Sequence, residues 1–401
     1  MPRTLSPPSL TTLILLTAVS TLSLQMFLPS LANIARDFEV SYAQASLAIG
    51  GYLAITAVIQ LIIGPLSDRL GRRPVMIGSL VVFTLASIGC ALAQNIWAFL
   101  AFRMLQGGIT SGYVLSLAIV RDTRGEQAAA GLIGYISMVM AIAPLVGPMF
   151  GGFLDAAFGW RANFFLYAGA GLTLLALCWF DLGETRPEHG RAPDQRRALA
   201  ALLRAPRFWA FALCEAFSRG AFYIFITGAP LVAQVQFGVS TAALGIYIGI
   251  ITAGFILGTF LSGRFAPRTQ PITMMIAGRI VACGGLLAGI TIILFGNVSP
   301  ALFFGATIAV GVGNGITTPS SSAAAMSVHP ESAGSAAGLA GALSVAGGAV
   351  LTTLTGALLP DEAPALALLV LMLASSALAF AAVLAAIVLQ ADRGARGAPM
   401  G

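Results

Sequence analysis

The chain has 401 residues, of which 58% are hydrophobic and 9% charged, with a formal net charge of +6 and a mean hydropathy of +0.91. A soluble globular protein carries about 25% charged residues, so a water-soluble enzyme, a disordered chain and a secreted disulfide scaffold are excluded, and a lipid-facing surface is implied. The positive balance is no nucleic-acid signal, because all 21 basic residues are arginine and most sit in a few short clusters.

An apolar α-helix needs about 20 residues to cross about 30 Å of hydrocarbon. Twelve stretches meet that length: 10–32, 44–66, 75–94, 97–120, 129–154, 162–180, 208–233, 241–262, 272–295, 301–323, 333–358 and 364–389. The chain is therefore predicted to be an all-α integral membrane protein with twelve transmembrane helices. The first stretch is too long for a signal peptide, and Pro29 stands where a small-residue cleavage site would be. Connections are short except for 181–207, which is polar and proline-bearing. It is predicted to be a cytoplasmic linker between an N-terminal six-helix bundle, 1–180, and a C-terminal one, 208–401. With the N-terminus inside, sixteen arginines fall in inside segments and only Arg36 and Arg161 outside. This positive-inside bias predicts a multi-pass protein of the cytoplasmic membrane with both termini in the cytoplasm.

Polar residues inside the spans carry the functional expectations. Gln25 lies inside span one, in LQMFLP. Tyr52, Tyr113, Tyr223, Tyr247 and Asn314 are candidates to line a mixed aromatic and polar cavity, or to pack. In GPLSDRLGRRPV, 64–75, Gly64 and Gly71 allow close backbone approach and a tight turn, with Asp68 beside Arg69, Arg72 and Arg73 at the membrane surface. In span four, RMLQGG places Arg103 in an apolar helix. An arginine there costs at least about 2.5–3.5 kcal/mol and normally faces a wet cavity or a partner. In span five, PLVGPMFGG combines Gly147, Gly151 and Gly152, which let a facing helix approach, with Pro144 and Pro148, which permit bending. Asp155, at the outer end of that span, is expected to stay in reach of water.

Glu215 is the acidic residue well inside a span, and Arg219 follows four residues later on the same helix face. The pair reads either as a substrate or proton site or as a self-neutralised structural pair. Arg279, about one turn into span nine, is expected to snorkel to the surface. FEVS at 38–41 and FGVS at 237–240, with LSDRL at 66–70 and LSGRF at 261–265, suggest an internal duplication. Duplicated halves around a midplane site are a common build for secondary transporters.

Enzyme chemistry is not expected. There is no GxxxxGK[ST] phosphate loop, and His189 and His329 both lie outside the spans. Cys90, Cys178, Cys214 and Cys283 fall singly in separate apolar stretches, without metal spacing. No metal site and no cofactor are expected.

The 64–75 segment resembles the signature loop between spans two and three of the major facilitator superfamily. RMLQGG and PLVGPMFGG match that superfamily's span-four and span-five motifs. The resemblance implies two six-helix bundles, a conformational latch made by Asp68, Arg69, Arg72 and Arg73, and an Arg103 that influences proton transfer in the antiporters. LPSLANIARDF, APLV at 229–232, GETRPE at 183–188 and AGSAAGLAGAL at 333–343 are similar to the Bcr/CflA (bicyclomycin-resistance type) drug/proton antiporter branch. That branch typically carries an Asp in span one where this chain has Gln25, which cannot titrate.

The expected function is secondary active transport of small amphipathic molecules by alternating access: multidrug-type efflux by proton antiport. The alternative is uptake of a small nutrient or cofactor, riboflavin-like in preference to copper, without proton coupling through span one. Copper is disfavoured because no span holds a histidine and no two methionines are three or four residues apart. The expected partners are small-molecule cargo, the lipid bilayer and protons as coupling ion. Nucleic acid is not among them, and a monomer is expected.

Overall fold

A computed structural model of the chain describes residues 8–123, 126–184, 200–296, 298–329, 333–360 and 363–397. The described residues form helices and turns, without strands. They fall into two compact units, Met1–Gly190 with Gly238–Gly249, and Arg191–Phe237 with Ile250–Gly401. Eleven helices among the described residues are long and apolar enough to cross a membrane.

In the first unit α1 (Leu10–Gln25) runs into a 3-10 turn, Leu28–Ser30, and then α2 (Leu31–Asp37). Pro29 lies in that turn, where a missing N–H and a fixed φ suit the start of a new segment. α3 (Tyr42–Leu70) begins with a capping box, Ser41 accepting from the Gln44 N–H and Gln44 accepting from the Ser41 N–H. α4 (Arg72–Leu92) follows after Gly71 alone. The stretch predicted as span four is α5 (Ile96–Gln106), a 3-10 turn over Gly107–Ile109, and α6 (Thr110–Thr123). Two adjacent glycines weaken the α-helix there, each by roughly 1 kcal/mol relative to alanine. α7 (Glu126–Phe158) passes through Pro144 and Pro148 without ending, and α8 (Arg161–Asp181) returns. The core at one end of this unit is aromatic. Phe99 meets Phe164 edge-on at 5.3 Å and Trp160 at 5.5 Å, and Phe164 meets Tyr167 at 5.7 Å.

The second unit holds α9 (Pro206–Leu231), a π-turn over Val232–Gln236 just after Pro230, and most of α10 (Thr241–Phe265). α11 (Pro271–Leu294), α12 (Pro300–Ser327), α13 (Ala333–Leu358) and α14 (Pro364–Gly397) complete it. Proline opens α9, α11 and α12 at their first positions, where its lost N–H costs nothing. Of the predicted linker, residues 185–199 lie outside the described residues. Its last part packs down: Leu202 joins the buried cluster around Phe208, Phe211 and Met275.

Side chains on the outer faces are apolar where a soluble protein would be polar. Phe158, Phe180 and Phe295 are exposed by 74%, 77% and 81%. Polar groups turn inward instead, which is the arrangement a hydrocarbon solvent imposes.

Candidate functional site

The first unit is built around Arg103, which is fully buried. Its Nη1 donates to Gln106 Oε1 at 2.6 Å, one turn along, and its Nη2 donates to the Ser23 carbonyl of α1 at 2.8 Å. The guanidinium carbon lies 4.1 Å from the Phe27 ring centre and 4.3 Å from that of Tyr52. The Tyr52 hydroxyl bonds to Ser23 Oγ at 3.3 Å, and Gln106 Nε2 donates to Ser87 Oγ at 2.7 Å. Four elements thus converge on one cation held by carbonyls, amides and aromatic faces. Cation–π contacts of this desolvated kind are worth about 2 kcal/mol each.

Gln25 closes α1 beside this network. It is 6% exposed, and its Oε1 has no protein hydrogen-bond partner. Its neighbour across the interface is the span-five motif. A Cβ on Gly151 would overlap the Met26 carbonyl, and one on Gly152 the Thr241 carbonyl, so only glycine lets these backbones meet. Gly147 lies against Leu22 and Gln25.

The 64–75 segment forms a charged corner in the same unit. Gly64 is helical, within α3. Arg72 pairs with Asp68 at 2.7 Å and with Asp122 at 3.1 Å, and it donates to Ser67 Oγ. Arg73 donates to the Trp179 carbonyl at 2.9 Å and stacks on that indole at 5.5 Å, while Arg69 is exposed. Gly71 has φ of 100°, and Glu184 occupies the space its side chain would need. Glu184 accepts from the Arg72 N–H at 2.8 Å, capping α4. Asp122 carries no distinguishing sequence pattern, and within GETRPE nothing marks Glu184 as a cap. Their role depends on where α6 and α8 end.

In the second unit Glu215 and Arg219 form an ion pair at 3.0 Å, with side-chain exposures of 4% and 46%. Ser322 on α12 donates to the other carboxylate oxygen, Oε2, at 2.7 Å. The carboxylate is thus buried and held between two helices, while its cation reaches partly into the open. Ser322 lies in a run of three serines that gave no sign which one faces inward.

Arg279 does not snorkel. It is fully buried, with Nε donating to Thr317 Oγ1 at 3.1 Å and Nη2 to Asn314 Oδ1 at 2.7 Å. Asn314 Nδ2 in turn donates to the Ser218 carbonyl at 2.8 Å. α11 starts at Pro271, so Arg279 is about 12 Å deep at 1.5 Å per residue. Polar partners on α12 are nearer than the surface. Asp155 also departs from expectation: it is 6% exposed and accepts from Asn33 Nδ2 at 2.6 Å. α2 continues past the predicted end of span one and covers it.

Of the predicted cavity residues, Tyr52 and Asn314 are drawn into the two buried networks. Tyr113, Tyr223 and Tyr247 are partly buried, with the Tyr223 ring against Gly348. Arg103 and Glu215 belong to different units. Among the described residues no group of three or more His, Cys, Asp or Glu side chains could hold a metal ion.

A model of the family described as the Major Facilitator Superfamily matches residues 13–353. The chain is 32% identical over 361 residues to the uncharacterized MFS-type transporter YdgK of Bacillus subtilis, covering 85% of this chain and 87% of that one. It is 27% identical to the bicyclomycin resistance protein homolog of Haemophilus influenzae, covering 88% and 89%. A crystal structure of a bacterial homolog to the human lysosomal transporter Spinster, in an inward-facing and occupied conformation, superposes with a TM-score of 0.77 at 19% identity. That superposition covers 94% of this chain and 95% of the other.

Proposed function

The chain belongs to the Major Facilitator Superfamily, its relatives include proteins named for drug resistance, and from that premise we propose that it exports small amphipathic molecules by proton antiport. In this reading it forms twelve transmembrane helices in a bacterial cytoplasmic membrane, with both termini inside. Its two halves alternate access to a central cargo site.

The observation that carries the reading is the Glu215–Arg219–Ser322 arrangement. Its buried carboxylate is held by a half-exposed cation and a neutral hydroxyl, partners that suit the two protonation states differently. Ionised, it holds Arg219 and the Ser322 hydroxyl. Protonated, it keeps Ser322 as a neutral hydrogen-bond partner and releases Arg219 toward solvent or cargo. Exchange of a proton for cargo at this pair couples the two flows. Arg103 keeps a fixed positive charge in the other unit and disfavours cationic cargo near it. Asp68, Arg72 and Asp122 form the charged latch that one conformation closes.

The test is a drug and metabolite profile of a deletion strain against the same strain complemented with wild type or with Glu215→Gln. Export predicts hypersensitivity on deletion, restored by wild type and not by Glu215→Gln at equal membrane abundance. A nutritional requirement on deletion would support uptake instead. Full rescue by Glu215→Gln would remove the pair from the coupling mechanism.

A further inference from the structure

Asp155 lies three residues before the end of α7, in the region where that helix makes its tightest backbone contacts. Its carboxylate is covered by two separate pieces of chain, 28–37 and the start of α10. From α2, Asn33 Nδ2 donates to Oδ2 at 2.6 Å. From the 3-10 turn, the Ser30 hydroxyl faces it, and from the first residue of α10 the Thr241 hydroxyl does so too. Thr241 Oγ1 also lies 3.2 Å from the Gly152 carbonyl, so its single hydrogen serves either that carbonyl or the carboxylate.

The charge facing Asp155 is Arg36 on α2, and it acts at one remove: its guanidinium holds Asn33 Oδ1, and Asn33 holds the carboxylate. The groups that touch Asp155 directly are neutral donors. Burying a carboxylate costs several kcal/mol unless donors surround it, and here the donors come from the continuous 28–37 stretch and from the start of α10, far along the sequence. The ionised carboxylate is therefore what draws α2, the 28–30 turn and the start of α10 onto α7. The Gly151 and Gly152 contacts with the Met26 and Thr241 carbonyls lie within one turn of it.

Protonation changes this selectively. It turns one oxygen from acceptor to donor and removes the negative charge. Asn33 Nδ2 cannot accept, and Arg36 has no remaining attraction to relay. The Thr241 hydroxyl keeps the Gly152 carbonyl and a neutral acid as partners, so the contact between the start of α10 and α7 loses its charge-assisted hydrogen bond, the stronger kind. We propose that Asp155 is a proton-operated clasp: ionised, it closes the start of α10 against α7, and protonated, it lets that contact part. The clasp adds a second carboxylate to the proton-antiport reading of the chain, on which its use in transport rests. The closing contact itself does not depend on cargo.

The experiment measures opening directly, in full-length protein in nanodiscs. All four native cysteines are replaced by alanine. A reporter cysteine is placed at the second residue of α10, Ala242→Cys, and a control at the exposed end of α7, Phe158→Cys. Maleimide labelling at 242, normalised to that at 158 to cancel thiol ionisation, is followed between about pH 5 and pH 8. With Asp155 present, normalised labelling should rise at least about fivefold as the pH falls. In Asp155→Asn it should be high and flat. Arg36→Gln, an exposed change that leaves the carboxylate in place, should move the rise to higher pH, because loss of the facing cation favours the neutral acid. A flat curve with Asp155 present, or an unchanged rise in Asp155→Asn, overturns the proposal. Should Asp155→Asn fail to fold, an Arg36→Gln curve that superposes on wild type overturns it. No cargo is needed, so a flat curve would sink the clasp while leaving export through Glu215 intact. A pH-dependent clasp in a protein that fails the drug profile would sink export alone.

Discussion

Arg103 and Arg279 are both fully buried, and each is anchored to the first helix of its own half. Arg103 reaches the Ser23 carbonyl directly, whereas Arg279 reaches the Ser218 carbonyl through Asn314. Ser218 follows Ser23 by 195 positions, the spacing that separates LSDRL from LSGRF and Tyr52 from Tyr247. The two halves present the same acceptor to different donors. In the first, the cation comes from the fourth span and is sandwiched by Phe27 and Tyr52. In the second, a neutral amide takes that place and the cation stands one helix away, among an amide and a hydroxyl. The helix that carries Ser218 also carries Glu215, where the matching position of the first half is Ser20, bonded to the Ile109 carbonyl at 2.8 Å. One half thus holds its cation among an amide, a carbonyl and aromatic faces, and the other pairs a buried carboxylate with a half-exposed cation.

That comparison is sharpest in alanine replacements of the two arginines. Arg103→Ala leaves Gln106 Oε1 and the Ser23 carbonyl without donors and opens a void between two rings, a loss of about 3–5 kcal/mol. Arg279→Ala leaves only Asn314 Oδ1 unpaired, because the Thr317 hydroxyl can turn to a carbonyl of its own helix, and should cost about 2–3 kcal/mol. Thermal unfolding in detergent measures both, and an Arg279 loss larger than the Arg103 loss would break the distinction. Next in size is Ser322→Ala, which removes one hydrogen bond from a buried carboxylate. It should lower stability by about 1.5 kcal/mol and shift the pH dependence of drug-driven transport, while an equivalent cut in the half that holds Arg103, Ser87→Ala, should leave that dependence in place. Asp68→Asn is the smallest change in stability. Its partner Arg72 keeps Asp122, and Asp68 is 55% exposed, so the loss should stay under about 0.5 kcal/mol. Drug efflux should nonetheless fall, because a latch acts on the rate of exchange between conformations. Wild-type efflux at equal abundance would show that the corner is only a capped turn.

The apolar runs made the helices legible, since lipid leaves little choice between a span and no span. Arg103 was legible for the same reason: a charge amid RMLQGG has to find partners. Depth and tertiary neighbours were not. Arg279, expected one turn below the surface, lies eight residues past the helix start at Pro271, and its partners are 35 and 38 positions away. Asp155 looked like a surface residue because α2, which covers it, prolongs the first span beyond its predicted end. Ser322 and Asp122 are polar residues without spacing to mark them, and Asn33 and Glu184 sit in segments whose resemblance does not tell which side chain faces inward. They matter only where another element delivers them. Nor does any periodicity announce that the fourth span would break at Gly107–Ile109.

That break resets the phase of the helix. An α-helix turns by about 100° per residue and a 3-10 helix by about 120°. Three residues in the tighter form add about 60° of rotation and about 1.5 Å of rise. On a uniform α-helical wheel, Tyr113 would point about 80° away from Arg103. With Gly107–Ile109 wound as observed, the offset shrinks to about 20°. The two glycines act as a gear tooth, bringing a tyrosine from the far half of the span round to the azimuth of the buried arginine. Replacing them with residues that favour a uniform α-helix would turn α6 relative to α5 without altering a single polar side chain.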